Sequence, residues 1–332
     1  MADRRGLVIG FDSAVAYWRM ARVAASPPPE PEGRVFGTQP LSRAALARRA
    51  LEVSGVEPPV DTVVTDARHR CKAAHLAEHV WKGPIGEEHL HPLSDGLYVC
   101  RICAAIAQLA ASGDEIELAR LAYEMCGTYG LTPWSSEGVA QDLRPLTSVS
   151  ELRAYANILA ALGVRGASKL LGVLGIVADG SNSPRETDVA IFLATSRAKG
   201  GAGLGGFRLN VRMRPNEKTE QRYGRGEVVP DFSWEGVVVE YDSDEWHRSA
   251  AAKRNDERKR RVYGAMGLTC LTMTSDIPRS NQKLNTFAED LERALGARRA
   301  PLSARMLTSR ERLRERLFGP EEEREALTAL NA

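Results

Sequence analysis

The spacing of apolar and polar residues changes period along the chain, and those changes predict its elements. The short apolar run at 7–11 predicts a strand, and Asp12 and Ser13 are suited to cap a helix over 14–23. Residues 26–31, Ser-Pro-Pro-Pro-Glu-Pro, break any regular element and read as an extended, exposed linker. A helix over 41–53 opened by Ser42 follows. Strands are predicted at 60–67 and near 97–99, with a polar, histidine-bearing segment between them. From 101 to 127 the pattern is helical, broken at Ser112-Gly113-Asp114. These elements predict a mixed α/β domain of unassigned role over 1–145, followed by a helical connector at 146–180 containing helices over 148–162 and 167–176.

The second half opens with Ser183-Pro184-Arg185-Glu186, the pattern of a capping box with Pro in the first turn. Val189, Ile191, Phe192 and Leu193 predict a helix behind it. The glycine-rich stretch 199–206 reads as a flexible connection. It follows a helix and precedes a strand, the reverse of a dinucleotide-binding loop. Strands are predicted at 207–213, 228–232 and 237–241, the last two joined as a hairpin by a turn at 233–236. A basic helix over 246–266 ends at Gly267 and leads to a strand at 268–273 and a helix over 281–295. The rest, 298–332, reads as a charged tail with an amphipathic helix at 309–317. No internal repeat is found.

Length and composition narrow the classes. At 332 residues, 43% hydrophobic and 27% charged, the chain fits about two domains and excludes collagen-like, wholly disordered and disulfide-scaffold proteins. With 45 Lys and Arg against 43 Asp and Glu, binding to nucleic acid must come from a local patch and not from bulk charge. No run of about 18 uncharged apolar residues predicts a membrane span. The apolar stretch near the first residue is too short for a signal sequence, and five cysteines, an odd number, fit reduced thiols; a cytoplasmic protein is expected.

One group of residues carries candidate chemistry. Side chains alternate across a strand, so Glu240 and Asp242 share a face, while Val237, Val239 and Tyr241 share the other, suited to cover by a helix. Asp231 lies on the partner strand of the hairpin and brings a third carboxylate near. Three such oxygens suit a hard cation such as Mg²⁺ or Mn²⁺, which can polarise a phosphodiester and lower the pKa of a bound water. The spacing alone equally allows acidic residues that simply end strands on a solvated face. His247, with an ordinary pKa of about 6.5, is either a proton-transfer group or a solvated residue at a helix start. On the basic helix, Lys253, Arg254, Arg258, Lys259, Arg260 and Arg261 cluster, with Arg254, Arg258 and Arg261 on one face and Lys253 grouped with them as a phosphate-contact candidate. They are suited to phosphate contact beside the carboxylates, or to solvated pairing within the helix.

Cys100-x-x-Cys103, with Cys71, His75, His79, His89 and His91 upstream, has part of a zinc pattern. A second Cys pair is missing and Cys103 opens an apolar stretch, so no zinc site is assigned. Trp18, Trp81 and Trp134 are assigned to packing.

The order Ser183-Pro184-x-Glu186, Pro230-Asp231, Val239-Glu240-Tyr241-Asp242, His247, Asp256-x-x-x-Arg260, Gly267 and Thr272-x-Thr274 resembles the PD-(D/E)xK, restriction-endonuclease-like superfamily. More narrowly it resembles the branch related to very-short-patch repair endonucleases, which also occurs in abortive-infection antitoxin-like chains linked to phage defence. The resemblance covers about 183–295. It implies a nuclease-like domain over 181–297 with an α-β-β-β-α-β core, and a metal held by Asp231 and Glu240, with Asp242 beside them. It further implies Glu186 as an auxiliary acid and His247 in proton transfer. Asp242 departs from the superfamily pattern, which has Lys there. The expectation is a metal-dependent nuclease acting on DNA in preference to RNA, with no membrane partner and no assigned protein partner. The alternative is a non-catalytic DNA-binding, antitoxin-like regulator that keeps the nuclease fold.

Overall fold

A computed structural model describes residues 6–24, 42–70, 73, 75–94, 96–242 and 250–320. The chain is mixed α/β and divides into two compact units, Met1–Gly175 and Ile176–Ala332. Among the described residues no helix is long and apolar enough to cross a membrane.

In the first unit, β1 (Leu7–Ile9) is buried at every position and runs through the middle of a five-stranded sheet. Helix α1 (Phe11–Val23) begins earlier than its capping residues predict. Gly10 occupies the cap position without a side-chain bond, and Ser13 inside the first turn hydrogen-bonds Asp61 instead. Helix α2 (Arg43–Ser54) is capped by Ser42 as expected. Strands β2 (Val60–Val64), β3 (Leu76–Val80), β4 (Leu90–Ser94) and β5 (Leu97–Cys100) complete the sheet in the order β3-β2-β1-β5-β4. β1 is parallel to β5 and antiparallel to β2. The polar segment between the two predicted strands therefore holds two more strands. Both carry mostly half-buried residues at the sheet edges, so neither shows a clean apolar pattern.

Helices α3 (Ile102–Leu109) and α4 (Glu115–Cys126) flank the break, where Asp114 caps α4. A two-stranded ribbon of β6 (Gly130–Thr132) and β7 (Gly138–Ala140) follows. The predicted connector helices, α5 (Val149–Ala161) and α6 (Ala167–Val173), pack on α3 and α4 and belong to this unit; they are not a separate linker. Trp18 and Trp81 are buried, whereas Trp134 in the ribbon loop is 51% exposed and does not serve packing.

The second unit begins with α7 (Pro184–Ala194), which is buried from Glu186 to Leu193 on all sides and not along one stripe. It is followed by β8 (Arg208–Leu209), α8 (Glu217–Tyr223), β9 (Phe232–Ser233), β10 (Val237–Asp242), α9 (Ala250–Ala265), β11 (Thr269–Thr274), α10 (Asn281–Ala294) and α11 (Ala304–Phe318). The sheet order is β11-β10-β9-β8. β10 is parallel to β11 and antiparallel to β9. The predicted strands at 207–213 and 228–232 shorten to β8 and β9, with only a bridge between Met213 and Val228 farther out. Both faces of β10 are buried at its start: Val238 packs with Val228, Val262 and Tyr263, which brings α9 onto the face that also carries Glu240.

Two expectations for this unit fail together. The glycine stretch is pinned, and α11 is part of the core and not a free tail. Arg310 of α11 is buried and donates to the carbonyls of Gly200 and Gly201, while Arg299 donates to those of Ala202 and Gly203. A Cβ on Gly201 would lie 2.0 Å from the Thr195 carbonyl oxygen and one on Gly200 would lie 2.3 Å from the Ser309 carbonyl oxygen, so at these two positions backbone presses on backbone.

Candidate functional site

The site forms where β9, β10, α7 and α9 meet in the second unit. Phe232 is opposite Val239 across the β9–β10 pair, so Asp231, one residue earlier, lies beside Glu240 and Tyr241. Its Oδ2 accepts a hydrogen bond from the Tyr241 backbone N–H at 2.6 Å. Glu240 is two residues past Val238 and, by strand alternation, on the same face, toward α9. Two side chains one helical turn apart on α9 reach it: Lys259 Nζ is 2.7 Å from Oε2, and the Tyr263 hydroxyl donates to Oε1 at 2.5 Å.

Glu186 approaches from the first turn of α7. The Ser183 hydroxyl caps the helix by accepting from the Glu186 N–H, and Glu186 Oε2 accepts from the Asn182 N–H at 3.0 Å and from Asn210 Nδ2 at 2.7 Å. Asn210 also donates its backbone N–H to the Asp231 carbonyl oxygen, so one residue ties Glu186 to the strand of Asp231. Its φ of 50° is left-handed, a conformation Asn tolerates better than most residues. Asp242 ends β10, half-buried and in register with Thr274.

Electrostatics at this junction are unbalanced. Burial, then the charges of Glu240 and Glu186, push the Asp231 carboxyl up to about 7. Burial also raises Glu186, against the opposing bonds from Asn210, Asn182 and Ser183. Lys259 supplies the ammonium that lowers Asp231. Three carboxylates sharing one ammonium leave negative charge that a divalent cation would neutralise, and all the donors are hard oxygens. Among the described residues no three His, Cys, Asp or Glu side chains converge closely enough to hold an ion by themselves. Of the expected trio, Asp231 and Glu240 are side by side next to the β9–β10 pair, and Asp242 follows two residues along β10. A pair, Asp231 and Glu240, is the core of the site. One or two carboxylates with water and substrate oxygens completing the shell is the arrangement Mg²⁺ favours.

The Asp231 shift has a measurable consequence. With its carboxyl raised from 3.8 to about 7, the ion-free folded chain keeps a proton that the unfolded chain has already released. The associated stability is full below about pH 4 and is lost as pH rises through about 7. Asp231→Asn is therefore expected to flatten the fall in urea midpoint between those pH values; equal slopes in the two proteins would contradict the shift.

The remaining expected site residues are placed as follows. His247 lies outside the described residues, as does the side chain of Lys253. Arg254, Arg258 and Arg261 are exposed. At about 100° per residue they share the flank of α9 turned away from Lys259 and Tyr263. Arg261 pairs with Glu257 at 2.6 Å, so part of that flank is internally neutralised. Three participants were not among the sequence-derived candidates: Lys259 as a site residue, Tyr263 and Asn210. The first two had a readable signal. Val262 and Tyr263 are the large apolar residues of a mostly charged helix and fix its inward face, and Lys259 lies on it by its three- and four-residue spacing.

Of the zinc-pattern residues in the first unit, Cys71 lies outside the described residues, and three of the others have protein partners. Cys100 Sγ accepts from Gln108 Nε2, Cys103 is 3.1 Å from the Thr147 hydroxyl, and His79 is bound to Asp61 at 2.8 Å. Burial pushes the Cys100 thiol up to about 12, which leaves it a poor ligand or nucleophile. The chain matches no known protein family, no curated protein and no solved structure among those compared.

Proposed function

We propose that the unit Ile176–Ala332 is a metal-dependent, restriction-endonuclease-like nuclease that hydrolyses phosphodiester bonds, in DNA before RNA. One observation carries the reading: two carboxylates, Asp231 just before β9 and Glu240 on β10, lie by a single ammonium, Lys259, at 2.7 Å from Glu240. The order α7, β8, α8, β9, β10, α9, β11 differs from the α-β-β-β-α-β core that the superfamily resemblance implies by the short helix α8 between β8 and β9. Lys259 also answers the departure at Asp242, since the cation absent from the strand arrives from α9.

Asp231 and Glu240 would hold Mg²⁺ or Mn²⁺, which supplies Lewis acidity at a phosphoryl oxygen when bound. Lys259 places a hydrogen-bond donor and a positive charge where negative charge grows during hydrolysis. Glu186 spends one oxygen on Asn182 and Asn210, so its part is to shape the field around Asp231. Arg254 and Arg258, exposed on α9, are suited to hold a phosphate backbone that extends past the site. No disulfide links the described cysteines Cys100, Cys103, Cys126 and Cys270, which fits a cytoplasmic protein.

A second reading, a non-catalytic DNA-binding regulator, is favoured by the complete pairing of Glu240. Both its oxygens have protein partners, so the network is satisfied without any ligand. Incubation of the full chain with supercoiled plasmid or single-stranded DNA, with Mg²⁺, Mn²⁺ or EDTA, separates the two. Metal-dependent cleavage supports the nuclease; binding without cleavage under every condition supports the regulator.

A further inference from the structure

We infer that Tyr263 is a positioning residue for the divalent cation, acting through Glu240. The inference rests on the nuclease reading above and assigns a role within the same site to a residue outside the sequence-derived candidates.

Tyr263 is fully buried, its ring packed with Val228, Val238 and Val262. A tyrosine held this way has no rotamer freedom left, so its hydroxyl is a fixed point 2.5 Å from Glu240 Oε1. Glu240, as a carboxylate, only accepts, and its two oxygens offer about four lone-pair sites. Tyr263 takes one on Oε1 and Lys259 one on Oε2, which stops rotation of the carboxylate and leaves the remaining lone pairs in set directions. The two donors differ in kind. Lys259 is at the end of a flexible stem and can follow Glu240 wherever it turns, while Tyr263 cannot. Removing the phenol hydroxyl frees Glu240 to rotate onto the ammonium, at the expense of its availability to a cation beside Asp231. Outer partners of metal ligands act in this way, and their loss weakens affinity about 10–100-fold.

Mn²⁺ affinity of the full chain, read by isothermal titration calorimetry without substrate, tests the assignment in four proteins: wild type, Tyr263→Phe, Val262→Ala and Asp231→Asn. Val262→Ala trims the same core cluster without touching Glu240 and reports what loosened packing alone does. Tyr263→Phe is expected to weaken Mn²⁺ binding about 10-fold or more. Val262→Ala should leave it within about 2-fold of wild type while lowering the thermal midpoint, and Asp231→Asn should abolish it. Equal Mn²⁺ affinity in Tyr263→Phe and wild type, with binding lost in Asp231→Asn, would overturn the role of Tyr263 and leave the nuclease reading standing. Equal weakening in Tyr263→Phe and Val262→Ala would also overturn it, as a packing effect. Absence of Mn²⁺ binding by the wild-type chain would overturn both.

Discussion

Lys259→Met is expected to lower the rate of phosphodiester cleavage by about 10²–10³-fold, the loss that follows removal of one preorganised donor from a site where charge develops. Methionine keeps an apolar side chain of similar length and removes the ammonium, which lies 5.9 Å from the centre of the Tyr263 ring. The Lys259 side chain is 18% exposed, and its ammonium is the only cation hydrogen-bonded to Glu240 among the described residues. No neighbour on α9 is placed to replace it, because Arg258 and Arg260 beside it are both exposed. Mn²⁺ affinity in this variant should be no weaker than in the wild type, since a competing positive charge has gone from Glu240. Lys259→Arg should not restore the rate, because a planar guanidinium cannot occupy the place of a compact ammonium. Initial rates of plasmid nicking at saturating metal decide the matter. A Lys259→Met rate close to wild type would remove Lys259 from the mechanism.

The largest expected effect on stability is remote from the carboxylates. Arg310 is 3% exposed and donates to Gly200 O at 3.2 Å, Gly201 O at 2.8 Å and Asn285 Oδ1 at 2.9 Å. Its guanidinium also lies 5.5 Å from the ring centre of Phe192 on the buried helix α7. Arg310→Ala leaves two backbone carbonyls and an amide oxygen without their donor and opens space beside Phe192, at a cost of about 3 kcal/mol or more. Lysine keeps the charge but not the planar array of donors, so Arg310→Lys should recover only part of the loss. Urea unfolding of the full chain followed by circular dichroism reads the effect as a lower midpoint. An unchanged midpoint in Arg310→Ala would show that α11 is dispensable to the fold.

These two residues also show what the sequence made legible and what it did not. The pairing of Asp231 with Glu240 was readable because strand alternation and a short hairpin are local rules, and local rules survive into the fold. The start of α7 at its Ser183 cap and the extent of α10 were readable for the same reason. Lys259 was harder. In a helix as basic as α9, charge hides phase, and only the apolar Val262 and Tyr263 reveal which side faces inward. Arg310 was not readable at all: its partners are about 110 residues earlier, and a charged amphipathic pattern gives no sign that one arginine is buried among glycine carbonyls. In the first unit, β3 and β4 escaped because edge strands such as Leu-Ala-Glu-His-Val mix polar and apolar residues without regular alternation.

The central claim, that Asp231 and Glu240 form a metal-dependent phosphodiesterase site, is tested most directly by plasmid nicking with Mg²⁺ in the wild-type, Asp231→Ala and Glu240→Ala chains. The account predicts wild-type cleavage that EDTA abolishes and that both substitutions eliminate, with the circular dichroism of each variant unchanged. Cleavage that persists at the wild-type rate in both variants would contradict it.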